Sequence, residues 1–346
     1  MSGIARRLYR GEVNVDFVGR RKLWYGLSAA LLIFSIAGLV VNGLNLGVEF
    51  KGGSVFSFKP AQSTTIEQVR GTFTDAGLHQ VIVQETNNGW RVTTESLSPE
   101  KVTEVQKTAA ESFGLQQNDV TLQVIGASWG GQVADQAILG LIVFMLAIIL
   151  YLTMAFEWKM ALAAVVALLH DLVITAGVYA WSGFEVTPAT LLGFLTILGY
   201  SLYDAVVVFD MIKEVTAKLG TTSKMTYTQA ANNALNHTLI RSLNTTLVAI
   251  LPVAAILFIG TTLFGAGTLK DLSLSLFVGM IVGTYSSLCV ATPLLVTLKE
   301  REPRYQAIAR RLAATGGAGA EVKSARQPVG AGANGAPSSG EKRKKK

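Results

Sequence analysis

The chain has 346 residues, half of them hydrophobic, with a mean hydropathy of +0.41 and a formal charge of +7. That composition is too apolar for an ordinary soluble protein, and a lone cysteine, Cys289, excludes an intrachain disulfide. The net positive charge does not imply nucleic-acid binding, because the basic residues gather at the ends of apolar stretches, where they set membrane topology.

A helix needs about 20 apolar residues to cross the hydrocarbon core. Six stretches qualify: 23–44, 137–156, 160–182, 188–212, 243–264 and 272–298. Arg6, Arg7, Arg10, Arg20, Arg21 and Lys22 precede the first, Lys213, Lys218 and Lys224 lie between the fourth and fifth, and Lys299, Arg301, Arg304, Arg310 and Arg311 follow the last. This positive-inside distribution with an even number of spans puts residues 1–22 and 299–346 in the cytoplasm. The first stretch is too long for a signal-peptide core, and Val41-Asn42-Gly43-Leu44 offers no small-residue cleavage site, so it reads as a retained anchor.

Residues 45–135 form one long loop on the outer side, with six Lys or Arg against ten Asp or Glu. It has the pattern of a folded domain. Ser54-Val55-Phe56-Ser57-Phe58 alternates as a strand, and Thr64 to Glu67 reads as a capping box opening a helix that stops at Gly77. Val81-Ile82-Val83 and Trp90-Arg91-Val92-Thr93 are strands joined through Asn87-Asn88-Gly89. Ser98-Pro99-Glu100 opens a second helix ending near Gly114, and 120–125 is a last strand. The order β-α-β-β-α-β is that of a ferredoxin-like α+β unit. It holds no metal-ligand or nucleophile constellation, so its expected work is contact or movement.

In the third stretch His170 and Asp171 lie about 16 Å from its cytoplasmic start, as a possible relay or as hydrogen-bonded packing. In the fourth, Asp204 lies roughly 14 Å from the cytoplasmic end, near mid-bilayer, on a predicted stripe with Gly193, Thr196 and Tyr200. An ionisable group at that depth costs a few kcal/mol and calls for a reason. Arg241 opens the fifth stretch with Thr238, Ser242 and Thr245 on its face, and its guanidinium could reach the acid. The pair is either a proton-coupling site or a static ion pair. Asp210 reads as a surface acid at the inner interface. Residues 226–240 form an amphipathic run expected to lie along the inner surface as an elbow. Pro252 and Pro293 suggest kinks, and Cys289 a small apolar filler. The tail, Gly- and Ala-rich and ending Lys342-Arg343-Lys344-Lys345-Lys346, is disordered by composition and attracted to anionic lipid. No G-x-x-x-x-G-K-[ST] loop is present, so no nucleotide, metal or other cofactor is expected and no enzyme activity is read.

Four segments carry a resemblance. Leu46-Gly47-Val48-Glu49-Phe50-Lys51-Gly52-Gly53 is similar to the G-x-D-F-x-G-G signature of the SecD/SecF protein-export family, and Ala167-Leu168-Leu169-His170-Asp171 to its third-span motif. The segment from Gly199 through Asp204 to Asp210 resembles the fourth-span motif G-Y-S-x-N-D-T-V-V-V-F-D-R, and Thr238 to Thr246 resembles T-x-x-R-T-x-N-T-S. The small outer domain resembles the SecF side of the family. The resemblance implies a six-helix, resistance-nodulation-division-type half in the plasma membrane that pairs with SecD, associates with the SecYEG channel and uses the proton motive force to complete export of preproteins. It implies proton coupling by Asp204 and Arg241. Glu49, Gly52 and Gly53 then form a hinge, or a plain tight turn into the first strand. Glu49, Tyr203 and Met211 depart from the family's Asp, Asn and Arg. A small-molecule or lipid exporter of the same superfamily and a passive scaffold are the competing readings.

Overall fold

The computed structural model describes residues 15–60, 62–79, 81–86, 89–220, 223–260 and 267–314. Arg6, Arg7 and Arg10, the Asn87-Asn88 turn and the tail from residue 315 lie outside the described residues.

Among the described residues six helices are long and apolar enough to cross a membrane: Arg21–Val41, Ser128–Ala155, Trp158–Ser182, Pro188–Ala217, Tyr227–Ile259 and Leu269–Lys299, here spans one to six. They coincide with the six apolar stretches, and the chain is a membrane protein. Spans three, four and six are the central ones, with 56%, 44% and 61% of their most apolar windows buried, against 17%, 11% and 11% for spans one, two and five. Small residues set how closely they approach. Gly177 of span three faces Ser35 of span one, Gly38 of span one faces the Trp181 ring, and the Trp181 indole donates to the Phe34 carbonyl at 2.8 Å.

Both predicted prolines sit beside π turns. Pro252 lies inside span five just before the π turn Ile256–Gly260, and Pro293 follows the π turn Ser287–Ala291 of span six. Proline has no N–H to close the helical ladder on its N-terminal side, and at Pro293 the wider turn Ser287–Ala291 stands there. In span six the carbonyl of Ser287 is taken up by the Thr292 hydroxyl at 3.1 Å.

Among the described residues there are six strands: β1 (Asn45–Leu46), β2 (Gly53–Phe58), β3 (Ile82–Thr86), β4 (Gly89–Thr94), β5 (Thr121–Ile125) and β6 (Glu185–Val186). Strands β2 to β5, with helices Ile66–Asp75 and Pro99–Phe113, form the domain that the charge pattern assigns to the outer side, an antiparallel sheet in the order β3-β4-β2-β5. This is the ferredoxin-like arrangement the element order predicted. Its core is Phe56, Phe58, Val69, Phe73, Trp90, Val92 and Val105. The capping box falls one residue later than the sequence pattern placed it, with Thr65 accepting from the Gln68 backbone and Gln68 reaching back. The second helix opens at Ser98 and Pro99 and stops at Gly114, whose φ of 67° is left-handed.

Two expectations are corrected. Residues 226–240 are not a surface elbow: Tyr227–Ala255 is one helix, and the run packs Tyr227, Ala230, Ala231, Ala234 and Leu235 into the main core. The apolar side of the run meets protein, not lipid headgroups. The segment from residue 299 is not all tail, since Pro303–Ala314 is a helix burying Tyr305, Ile308 and Leu312 against that same core. Three apolar residues at helical spacing within a basic sequence made this face easy to overlook.

Candidate functional site

Asp204 is 5% exposed in the middle of span four. The buried face of that helix is Gly193, Ile197, Ser201, Asp204 and Val208, while the predicted stripe member Thr196 is exposed and turns its hydroxyl to the Leu192 carbonyl. Ser242 of span five donates to Asp204 Oδ1 at 2.6 Å, and Ser287 of span six donates to Oδ2. The acid is therefore held by two neutral hydroxyls.

Arg241 is exposed and forms no ion pair with Asp204. Adjacent residues on a helix point about 100° apart, so the turn that brings Ser242 inward carries Arg241 to the outer surface of span five. The buried stripe there is Thr238, Ser242 and Thr246, with Thr246 in place of the expected Thr245. Tyr203, where the family pattern has Asn, is 51% exposed and also faces away from the acid. Asp210 is exposed, as a surface acid should be, and Met211 packs partly buried against the main core.

A second carboxylate stands in the same layer. Asp171 of span three is fully buried and accepts at Oδ2 from Ser201 at 2.6 Å and Ser286 at 2.8 Å. His170 Nδ1 lies 3.2 Å from Asp171 Oδ1, and its Nε2 is buried without a partner. Ser201 is one turn from Asp204 on span four, and Ser286 adjoins Ser287 on span six. The structure thus brings Asp171, His170 and Asp204 into one polar layer, with serines from three spans as its connectors. Toward the domain-bearing side, the Tyr200 hydroxyl donates to Thr246 at 2.8 Å, and Thr246 meets Thr284 at 2.8 Å. Sequence reasoning missed Ser201, Ser286 and Ser287. For the two on span six the signal was the run Thr284-Tyr285-Ser286-Ser287 inside an apolar stretch.

The glycine signature forms a second locus. Residues Val48–Lys51 make one helical turn whose Phe50 is buried among Tyr179, Val186 and Phe194 of the membrane body. Gly52 and Gly53 follow with φ of 76° and 149°. A Cβ on Gly53 would stand 2.6 Å from the Thr94 carbonyl, so this is a turn that only glycine fits. Gly53 pairs with Ile125, so the domain's entry and exit strands are neighbours and leave the membrane body at one place. There β1 pairs in parallel with β6, and the Gly47 N–H donates to the Val186 carbonyl at 2.9 Å. Glu49 Oε2 and Arg91 Nε are buried without hydrogen-bond partners. Glu185 shares this junction. Burial raises its carboxyl above the ordinary value, Arg91 opposes the rise, and Glu49 adds to it. Among the described residues no cluster of three or more His, Cys, Asp or Glu could hold a metal ion.

Comparison with known proteins bears on both loci. Residues 105–301 match the family described as protein export membrane protein SecD/SecF, C-terminal, and residues 37–63 match the SecD/SecF GG motif. The protein translocase subunit SecF of Streptomyces coelicolor is 46% identical, over 92% of this chain and 85% of its own length. That of Mycobacterium tuberculosis is 42% identical, over 85% of this chain and 69% of its own. The crystal structure of SecDF, a translocon-associated membrane protein from Thermus thermophilus, aligns with a TM-score of 0.75 at 28% identity, over 86% of this chain and 42% of that one. SecDF in a super-membrane-facing form aligns with a TM-score of 0.56 at the same identity, over 40% of its length. This chain spans less than half of the SecDF chains it resembles.

Proposed function

The chain belongs to the SecD/SecF family of protein-export membrane proteins, and on that premise we propose that it is the SecF-type half of an accessory motor of Sec translocation. In this reading a SecD-like chain supplies the other six spans, and the pair works beside the SecYEG channel in the plasma membrane. It draws on the proton motive force to complete passage of preproteins. Both ends of this chain then lie in the cytoplasm, as the placement of basic residues suggests.

The observation that carries the reading is Asp204, buried at mid-span between hydroxyls. A carboxylate there is costly unless it has work to do. A proton moving through the field contributes about 2.3 kcal/mol per 100 mV, enough to bias a two-state element. Arg241 serves as the movable counter-charge. Ser242 touches Asp204, so its neighbour Arg241 stands at the same depth, and a modest turn of span five could exchange hydroxyl for guanidinium. His170 and Asp171 act as the relay. The outer domain is the moving part, turning about Gly52 and Gly53.

The test is export of a preprotein into inverted membrane vesicles energised by a proton gradient. Asp204→Asn is expected to abolish the gradient-dependent fraction and leave gradient-independent translocation intact. Unchanged gradient dependence in both Asp204→Asn and Arg241→Ala would leave a passive scaffold as the better reading. Recovery of the chain only as a homo-oligomer would favour an exporter of the same superfamily.

A further inference from the structure

At the start of the π turn in span six, two consecutive serines serve two different acids. Ser286 Oγ lies 2.8 Å from Asp171 Oδ2 and 3.1 Å from the carbonyl of Gly283. Ser287 Oγ contacts Asp204 Oδ2 and lies 3.1 Å from the carbonyl of Thr284. Each hydroxyl therefore has an acid on one side and a carbonyl of its own helix on the other. A hydroxyl carries one hydrogen and two lone pairs. Facing an ionised acid it donates to the carboxylate. Facing a protonated acid it accepts the acid's O–H and swings its own hydrogen to the carbonyl. Neither state leaves a buried polar group unpaired, and no heavy atom has to move.

Among the described residues no lysine or arginine pairs with either acid to do this work. The titratable groups of this layer are His170 and Asp171 on span three, Tyr200 and Asp204 on span four, and Tyr285 and Cys289 on span six, while Arg241 of span five turns outward. Ser201 and Ser242 complete the donors from spans four and five.

We infer that Ser287 is a positioning residue for proton uptake at Asp204, a hydroxyl switch that satisfies the acid with and without its proton, and that Ser286 does the same for Asp171. Span six then contacts both acids through adjacent residues, where its α-helix passes into the π turn. This deepens the proton-coupling reading and rests on it.

The experiment is infrared titration of the full-length chain with its co-purified partner in lipid vesicles, with the protonated-carboxyl band of Asp204 assigned by difference against Asp204→Asn. Ser287→Ala removes one donor from the ionised acid, and the midpoint of the band is expected to rise by about one to two pH units. Ser287→Thr, which restores a hydroxyl, returns it toward the original value. Ser286→Ala is expected to move the Asp204 midpoint far less, which separates a lost donor from a loosened π turn. An unmoved midpoint in Ser287→Ala, or an equal shift in Ser286→Ala, overturns the switch while leaving a transport-dead Asp204→Asn to uphold the coupling. The absence of any titrating band assignable to Asp204 overturns both.

Discussion

Gly53 shows how a single residue fixes the start of the outer domain. Its φ of 149° and the 2.6 Å approach of a would-be Cβ to the Thr94 carbonyl make any side chain there both strained and overpacked. Gly53→Ala is expected to cost about 2–4 kcal/mol. Gly71, inside the first domain helix with nothing within 4 Å of its Cβ position, has the opposite expectation. There an alanine should stabilise by roughly 0.5–1 kcal/mol. Thermal unfolding of the two variants, followed by loss of the monodisperse chromatographic peak, checks the difference, and equal midpoints would show that the glycine turn is not under constraint. This contrast also marks the limit of reading residues from sequence. That Gly52 and Gly53 form a turn is visible in the pair itself, whereas which carbonyl crowds them depends on β4 returning alongside β2. The same holds at the site. Asp204 is conspicuous as an acid in an apolar run, but whether Arg241 or Ser242 faces it is a matter of helix rotation, and adjacent residues differ by about 100°. The pairing of Ser287 with Asp204 across 83 positions has no local signature at all.

Among the elements, the short β1–β6 pairing is the strap between the outer domain and the membrane body, and its chemistry is acidic. The carboxylates of Glu49 and Glu185 both approach Gly47, the latter reaching 3.1 Å from the position a Cβ there would occupy. Burial holds the Glu185 carboxyl above the ordinary glutamate value of 4.5, with Glu49 adding to the rise and Arg91 and Lys51 opposing it. A raised value in the folded junction means that the proton is bound more tightly there than in the undocked chain. The contribution of Glu185 to the junction is therefore fully present below pH 4.5 and lost as the pH rises through the raised value. Hydrogen exchange at the Gly47 N–H, which donates to Val186, reads this directly. After correction for intrinsic exchange, protection is expected to fall as the pH rises above 4.5, and Glu185→Gln should flatten the dependence. An unchanged slope in that variant would place the titrating group elsewhere. The elements themselves were legible because apolar length and two-residue alternation are local signals, and the helix Pro303–Ala314 was lost because its apolar face is thin and its neighbours are basic.

For the whole molecule, the question is which lateral face another chain would cover. The span ends opposite the sheet domain are already tied together: Arg21 of span one pairs with Glu300 at 2.6 Å, Lys159 of span three with Glu302 at 2.8 Å, and Lys299 of span six with Glu157. Spans one, two and five all show apolar side chains outward, and lipid alone would satisfy those. Arg241 differs, because a guanidinium on the outer surface at the depth of Asp204 costs at least about 2.5 kcal/mol against lipid. Val248 lies two turns from Arg241 on nearly the same face and is 69% exposed, so it marks the surface where a SecD-like half would relieve that cost. Leu146 of span two is comparably exposed at 60% but has no charge beside it. A tryptophan at a packed interface overfills it by about 1–3 kcal/mol, whereas one facing lipid is tolerated. Val248→Trp is thus expected to lower recovery of the partner in co-purification roughly tenfold, and Leu146→Trp to leave it unchanged. Equal recovery would move the shared interface off span five, and with it the reason for an outward Arg241.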